Sequence, residues 1–387
     1  MSDESSEGIF LSVPVLRKWQ VQALEAWLVN FSGIAQVVTG GGKTFFAIAC
    51  MDRWFKKYPF SNVIILVPTI ALMDQWLTEL IEGTVLTRED IALQGGGWSE
   101  NYDRKVILMS IDSARTKSSL VESDNPRFLI VDECHRAGSI ENRKGIDIAA
   151  QATLGLSATP ERHGDDFFET ELIPVLGNVI IRYDYVQAMA DEVLSPFELV
   201  NVRVRPSQAR IETFQSVLTE SSNQQMDSGD IVKLVSGRMK QLTAVRLRLD
   251  HVTEKAIIFH ERITNSNQIH GALSDKGHTA SLYNSRVGKH LRAETLFEFR
   301  RGVTKTLVTC RALDEGLNVP DASVGIIVAW TKTTRQRIQR LGRVLRPAKN
   351  KTSAVIYTLY STKEEEKILQ AEAKQLNGVA KISWKEV

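Results

Sequence analysis

The stretch Val37-Val38-Thr39-Gly40-Gly41-Gly42-Lys43-Thr44 constrains this chain more than any other. An apolar run at 34–38 leads into it, and a run with helical spacing at 45–55 follows. Three successive glycines suit neither a strand nor a helix interior, so they mark a tight turn with free backbone N–H groups. Set between a strand and a helix N-terminus, those groups and the helix dipole form an anion cradle of the phosphate-loop type. Lys43 is the expected counter-charge for β- and γ-phosphates, and the Thr44 hydroxyl the expected ligand of Mg²⁺. Val37 stands where the general pattern has its first glycine.

The chain has 387 residues, enough for two or three domains with sizeable cores. Beyond the loop, buried-type strands at 62–67, 106–109, 127–131 and 153–156 alternate with helical patterns. The fourth strand ends in Asp132-Glu133-Cys134-His135, where parallel sheets place their ligands. Asp132 is expected to hold Mg²⁺, and Glu133 to orient and deprotonate an attacking water. Ser157 and Thr159, at the end of the fifth strand, are hydroxyls within reach of His135. Ahead of the loop, 16–28 reads as an amphipathic helix with Trp19 and Trp27 in the core. Gln94-Gly95-Gly96-Gly97-Trp98 has no lysine and precedes no helix, so it reads as a mobile loop whose amides could meet a nucleic-acid backbone.

From about 178 to 205 the chain reads as a strand, a short helix around 187–190 and a strand at 197–204; the polar stretch 206–230 is then the best linker candidate, followed by a basic helix at 231–251. A second strand–helix alternation then begins at 255–260 and has no phosphate loop of its own. Its later part carries Arg340, Arg343 and Arg346, three residues apart and so on one helical face. Guanidiniums gathered this way repel unless an anion meets them, and suit a transferring phosphoryl group. The chain ends in a strand near 354–359 and an acidic-basic surface helix at 363–376.

Taken in order, these stretches resemble the motifs of the superfamily 2 helicases. Residues 39–44, 132–135, 157–159 and 339–346 correspond to motifs I, II, III and VI. Leu16 to Gln20 resembles the glutamine motif, Pro68-Thr69 motif Ia, 257–260 motif IV and 309–320 motif V. The phrases Gly316-Leu317-Asn318-Val319-Pro320, 340–347 and 157–162 point to the branch of XPB, UvsW and the type I and III restriction ATPases. The resemblance implies an α/β fold of two tandem RecA-like, doubly wound parallel-sheet domains, 1–205 and 206–387, with ATP in the cleft between them. It implies Gln20 beside the adenine, and Thr39, Gly40, Gly41, Gly42, Lys43 and Thr44 around the phosphates. Gly316 and Asn318 belong near the ribose, where Asn318 replaces a frequent Asp. Arg343 and Arg346 are implied as arginine fingers supported by Arg340, with Pro68, Thr69 and Thr309 near a nucleic-acid backbone. His135, Ser157, Thr159 and Gln339 are implied to couple the two sites. Residues 161–165 only loosely resemble the Arg-Glu-Asp element of XPB, and no appended nuclease motif or zinc cluster is seen.

The expected activity is that of an ATP- and Mg²⁺-dependent DNA helicase or translocase in repair, recombination or restriction. The alternatives are a nucleic-acid-gated ATPase switch or loading subunit of a larger defence complex, and an RNA helicase. DNA is the expected partner ahead of RNA, with a nuclease or a repair or defence complex as protein partner. A net charge of +2 requires a local groove for nucleic acid rather than a global field. No apolar run spans a bilayer, and the acidic start (1–7) is unlike a signal peptide and expected to be frayed. With three scattered cysteines, Cys50, Cys134 and Cys310, the chain is expected in a reducing, intracellular compartment away from membranes.

Overall fold

The computed structural model describes residues 8–10, 15–117, 125–137, 140–158, 167–194, 196–221, 227–284, 286–310, 322–329, 354–376 and 380–387. The chain divides into two compact units, the first ending at Ala188 and the second beginning at Met189.

In the first unit the strands are β1 (Ile34–Val37), β2 (Asn62–Val67), β3 (Ile91–Gly95), β4 (Trp98–Ser99), β5 (Val106–Ser110), β6 (Arg127–Asp132), β7 (Ala152–Ser157) and β8 (Val179–Tyr183). They form one sheet in the order β4-β3-β5-β2-β6-β7-β1-β8, parallel throughout except for β4. β2, β5, β6 and β7 are buried along their whole length, which is why they read as unbroken apolar runs. Three helices matter for the site: α1 (Lys18–Asn30), α2 (Lys43–Lys57) and α3 (Ile70–Gly83). Trp19 and Trp27 of α1 are buried, as their helical spacing predicts. The sheet order sets β6, β7 and β1 side by side. The residues at and just past their carboxyl ends, Asp132-Glu133, Ser157 and the glycine loop, therefore share one edge.

The segment 94–98 differs from the expected loop. Gln94 and Gly95 belong to β3, and Gly95 pairs with Trp98 across a two-residue turn. Gly96 and Gly97 have φ of 62° and 94°, the left-handed values a tight hairpin turn requires.

The second unit holds β9 (Phe197–Arg203), β10 (Ala256–His260), β11 (Ser281–Tyr283), β12 (Thr306–Cys310), β13 (Val324–Ile327), β14 (Ala354–Tyr360) and β15 (Lys381–Glu386). These form an all-parallel sheet, β11-β12-β10-β13-β14-β9-β15. β9, expected to close a first domain ending at 205, lies here between β14 and β15, and the division falls at 188/189 instead. The reason is pairing: seven residues of β9 run in register with β14, and nothing in the strand's own sequence names its partner. The polar stretch expected to be a linker is largely helical, Gln208–Ser221, and packs on the helix Ser228–Asp250. Two α/β units with parallel sheets are the architecture expected. Among the described residues no helix is long and apolar enough to cross a membrane.

Candidate nucleotide site

The apolar, buried β1 delivers the chain to Val38, and the glycines then reverse it. Gly40 and Gly42 have φ of 87° and 99°. A Cβ on Gly42 would also lie 2.8 Å from Arg17 Nη1, and one on Gly41 would lie 2.6 Å from the Val37 side chain. Glycine is needed for conformation at Gly40 and Gly42 and for space at Gly41. Gly42 then serves as the N-cap of α2, so Lys43 and Thr44 open the helix.

The loop is held from outside by α1. Arg17 Nη1 donates to the Gly41 carbonyl at 2.8 Å, and Gln20 Nε2 donates to the Gly42 carbonyl at 3.0 Å. Gln20 Oε1 accepts from the Arg17 backbone N–H at 2.8 Å. Both ends of the buried Gln20 amide are thus engaged on the loop and its own helix start. Arg17 is a loop contact absent from the sequence expectations. The cap is one-sided, since a guanidinium cannot accept from the helix start, and no local spacing signals its reach to Gly41. Lys43 Nζ donates to the Val37 carbonyl at 3.1 Å. The Thr39 hydroxyl is buried with no hydrogen-bond partner among the described residues, an orphaned polar atom inside the loop.

The carboxylates stand at the end of β6. Asp132 Oδ1 accepts from the Glu133 backbone N–H at 2.8 Å, and Oδ2 from the indole N–H of Trp76, on α3, at 2.8 Å. Burial and the neighbouring Glu133 charge push the Asp132 carboxyl up to about 7, against the opposing pull of Lys43 and the two donors. Glu133 has φ of 49°, a left-handed backbone for a non-glycine residue, and caps the short turn Cys134–Arg136. Such a conformation is held at a cost, and it occurs beside the site. The turn returns His135 under the strand ends. His135 Nδ1 lies 2.9 Å from Ser157 Oγ and 3.4 Å from Glu133 Oε2. Glu133, His135 and Ser157 therefore form one contiguous polar chain, with His135 and Ser157 buried.

Of the other expected site residues, Thr69 caps α3 by accepting from the Leu72 N–H at 3.3 Å, and Pro68 joins β2 to that cap. Thr309 lies in β12 of the second unit, buried, with no hydroxyl partner among the described residues. Thr159, Gly316, Asn318, Gln339, Arg340, Arg343 and Arg346 lie outside the described residues.

The donor set fits a nucleotide-borne Mg²⁺. A hydroxyl (Thr44) and a carboxylate (Asp132) are hard oxygen ligands of the kind this ion takes together with phosphate oxygens. Among the described residues no three of His, Cys, Asp and Glu gather into an all-protein cage. A pH effect follows from Asp132. Its protonated form is favoured in the folded, nucleotide-free chain, so that contribution to stability is full below pH 3.8 and is lost as pH rises through about 7. Metal needs the carboxylate, so Mg²⁺-dependent nucleotide binding is expected to weaken as pH falls from about 8 to about 6, across the Asp132 midpoint at about 7. Fluorescent-nucleotide titrations at fixed Mg²⁺ measure this, and Asp132→Asn should flatten the pH dependence.

The glycine loop, its lysine and the adjacent strand-end carboxylates define the class of phosphate-loop nucleotide-binding α/β proteins. Two family models then match the chain: the type III restriction enzyme res subunit over residues 14–162 and the helicase conserved C-terminal domain over residues 237–348. The two matches bear out the resemblance to the superfamily 2 helicases. A putative DNA 3'-5' helicase Rad25 of Haloarcula marismortui is 29% identical over 90% of this chain and 53% of its own length. A DNA 3'-5' translocase XPB2 of Sulfurisphaera tokodaii is 28% identical over 86% of this chain and 78% of its own. The DNA 3'-5' helicase XPB of Mycobacterium tuberculosis is 26% identical, and the chain spans 60% of it. Among solved structures, the type ISP restriction-modification enzyme LlaBIII bound to DNA superposes with a TM-score of 0.71 at 16% identity, over 97% of this chain and 31% of that one. Dbp5 of S. cerevisiae bound to RNA and ADP BeF3 gives 0.69 at 18% identity, over 95% and 89%. At these identities the structural likeness speaks for the fold.

Proposed function

We propose that this chain is an ATP-dependent DNA translocase or helicase that couples Mg²⁺-ATP hydrolysis to movement on DNA. The observation that carries the reading is the shared strand edge: a lysine-bearing glycine loop, Asp132 with Glu133, and the His135–Ser157 pair stand at the carboxyl ends of three adjacent strands. DNA is preferred to RNA because relatives similar over most of this chain carry DNA helicase and translocase names.

In this reading the loop N–H groups, Lys43 and Thr44 bind the phosphates, and Asp132 with Thr44 would hold Mg²⁺, which would supply neutralisation of phosphate charge. Gln20 and Arg17 hold the loop in register, and Gln20 lies on the adenine side. Gly316 and Asn318 approach the ribose. Glu133 orients the attacking water and accepts its proton. Arg343 and Arg346, with Arg340 behind them, stabilise the charge that develops on the transferring phosphoryl group. Proton acceptance at Glu133 is felt at His135 and Ser157, whose contact, with Thr159 and Gln339, links the nucleotide to residues touching the DNA backbone: Pro68, Thr69 and Thr309.

The test is ATP hydrolysis by the purified chain alone and with double-stranded DNA, single-stranded DNA or single-stranded RNA at one salt concentration. The control is Glu133→Gln. At least about tenfold stimulation by DNA is expected, falling steeply as salt is raised because phosphate contacts release counterions. Stimulation by RNA alone would move the substrate to RNA. No stimulation would overturn the motor reading in favour of a partner-gated ATPase subunit. A strand-displacement assay then separates helicase from translocase.

A further inference from the structure

We propose that Trp76 is a positioning residue for the Mg²⁺-binding carboxylate: its indole N–H holds one oxygen of Asp132 and so sets the orientation in which Asp132 meets the metal. The proposal rests on the reading of Asp132 given above. Trp76 Nε1 donates to Asp132 Oδ2 at 2.8 Å, while Oδ1 takes the Glu133 backbone N–H, also at 2.8 Å. One donor on each oxygen fixes the rotation of the carboxylate plane and leaves acceptor capacity on both. Trp76 is fully buried and Asp132 nearly so, and in such surroundings a hydrogen bond to a charged acceptor is at its strongest.

Burial alone does not oblige this bond. Trp19 and Trp54 are as deeply buried, and their indole nitrogens have no partner among the described residues. Trp27 gives its N–H to a backbone carbonyl, that of Thr153, at 2.9 Å. The fold thus tolerates an unpaired indole, and Trp76 is distinguished among the described hydrogen bonds by donating to a carboxylate. The donor also comes from α3, not from the β6 turn. α3 packs on β2 and β5 and starts at the Thr69 cap, so the orientation of Asp132 is fixed from a helix outside its own loop. Oriented metal ligands commonly depend on such partners, and losing one costs on the order of 10- to 100-fold in metal affinity or activity.

The experiment is Trp76→Phe in the full chain, which keeps an aromatic ring in the core and removes the N–H. Binding of a fluorescent ATP analogue is followed during Mg²⁺ titration and again in EDTA, with the melting temperature recorded without nucleotide. The Mg²⁺ concentration at half-saturation is expected to rise about tenfold, with binding in EDTA within about twofold of wild type and kcat largely restored at saturating Mg²⁺. A variant that melts lower but keeps the wild-type Mg²⁺ dependence would reduce Trp76 to core packing and overturn the proposal. A wild-type chain with no Mg²⁺-dependent binding would instead overturn the reading of Asp132 itself.

Should Trp76→Phe not fold, the wild-type chain labelled with ¹⁵N at its seven tryptophans provides the measurement. The indole signal moved furthest by Asp132→Ala is expected to be one that Mg²⁺ moves in the nucleotide-bound chain. Asp132→Ala leaving every indole signal in place would overturn the proposal.

Discussion

Glu133→Gln is expected to lower kcat by on the order of 10²- to 10⁴-fold, the usual contribution of a positioned general base, while nucleotide affinity stays within about threefold of wild type. The substitution is close to isosteric, so the left-handed backbone at residue 133 and the turn Cys134–Arg136 that it caps make no new demand on the side chain. The amide of the variant would still reach His135, which lies 3.4 Å from the Glu133 carboxylate in the wild type, but it could not accept a proton from water. The ground-state cradle of Gly40 to Thr44 is untouched. One further consequence concerns Asp132, whose carboxyl is held high partly by the Glu133 charge. Removing that charge lets Asp132 ionise at lower pH, so Mg²⁺-nucleotide binding in the variant should persist further into the acid range. Single-turnover hydrolysis and fluorescent-nucleotide binding, followed on both sides of the Asp132 midpoint at about 7, measure both effects. An unchanged rate would remove Glu133 from the proton-transfer role.

The parts of this site legible in sequence are those whose chemistry is local in the chain. The glycines, Lys43 and Thr44 are contiguous, and the apolar run of β6 aims Asp132 and Glu133 at the sheet edge without help from distant residues. The His135–Ser157 contact spans two strands, yet it was foreseeable because adjacent parallel strands bring their ends together. What escaped was set by pairing and by single polar atoms. β9 reads as a strand anywhere, and only its register with β14 and β15 assigns it to the second unit. β15 is an exposed edge strand with Lys381, Ser383, Lys385 and Glu386 along it, so it lacks the apolar run that marks its neighbours. Helical spacing with Leu72 and Leu80 accounts for the burial of Trp76, but periodicity carries no information about where an indole N–H points. Arg17 was invisible for a similar reason, since its guanidinium reaches the Gly41 carbonyl across 24 residues of sequence.

Lys43→Ala separates binding from folding. In the nucleotide-free chain the ammonium has one described hydrogen bond, to the Val37 carbonyl at 3.1 Å, and it is only half-buried. A single hydrogen bond of this kind is worth about 1 kcal/mol, which in a unit of this size moves the melting temperature by roughly 2–4 °C. The β1 strand, the glycine turn and the α2 helix keep their own hydrogen bonds, so the variant is expected to fold. Its nucleotide site is another matter. Lys43 is the positive side chain that lowers the cost of ionising Asp132, and without it burial and Glu133 act on that carboxyl with less opposition. Phosphate and metal binding are therefore both weakened by one substitution. ATP at about 100 times its Kd should stabilise the wild type by about 2.7 kcal/mol, and that ligand-induced rise in melting temperature is expected to vanish in Lys43→Ala along with measurable turnover. Thermal shifts with and without Mg²⁺-ATP, paired with a phosphate-release assay, decide the matter. A variant that keeps the ATP-induced shift and hydrolyses at the wild-type rate would mean that the glycine turn is a structural turn and that nucleotide is handled elsewhere in the chain.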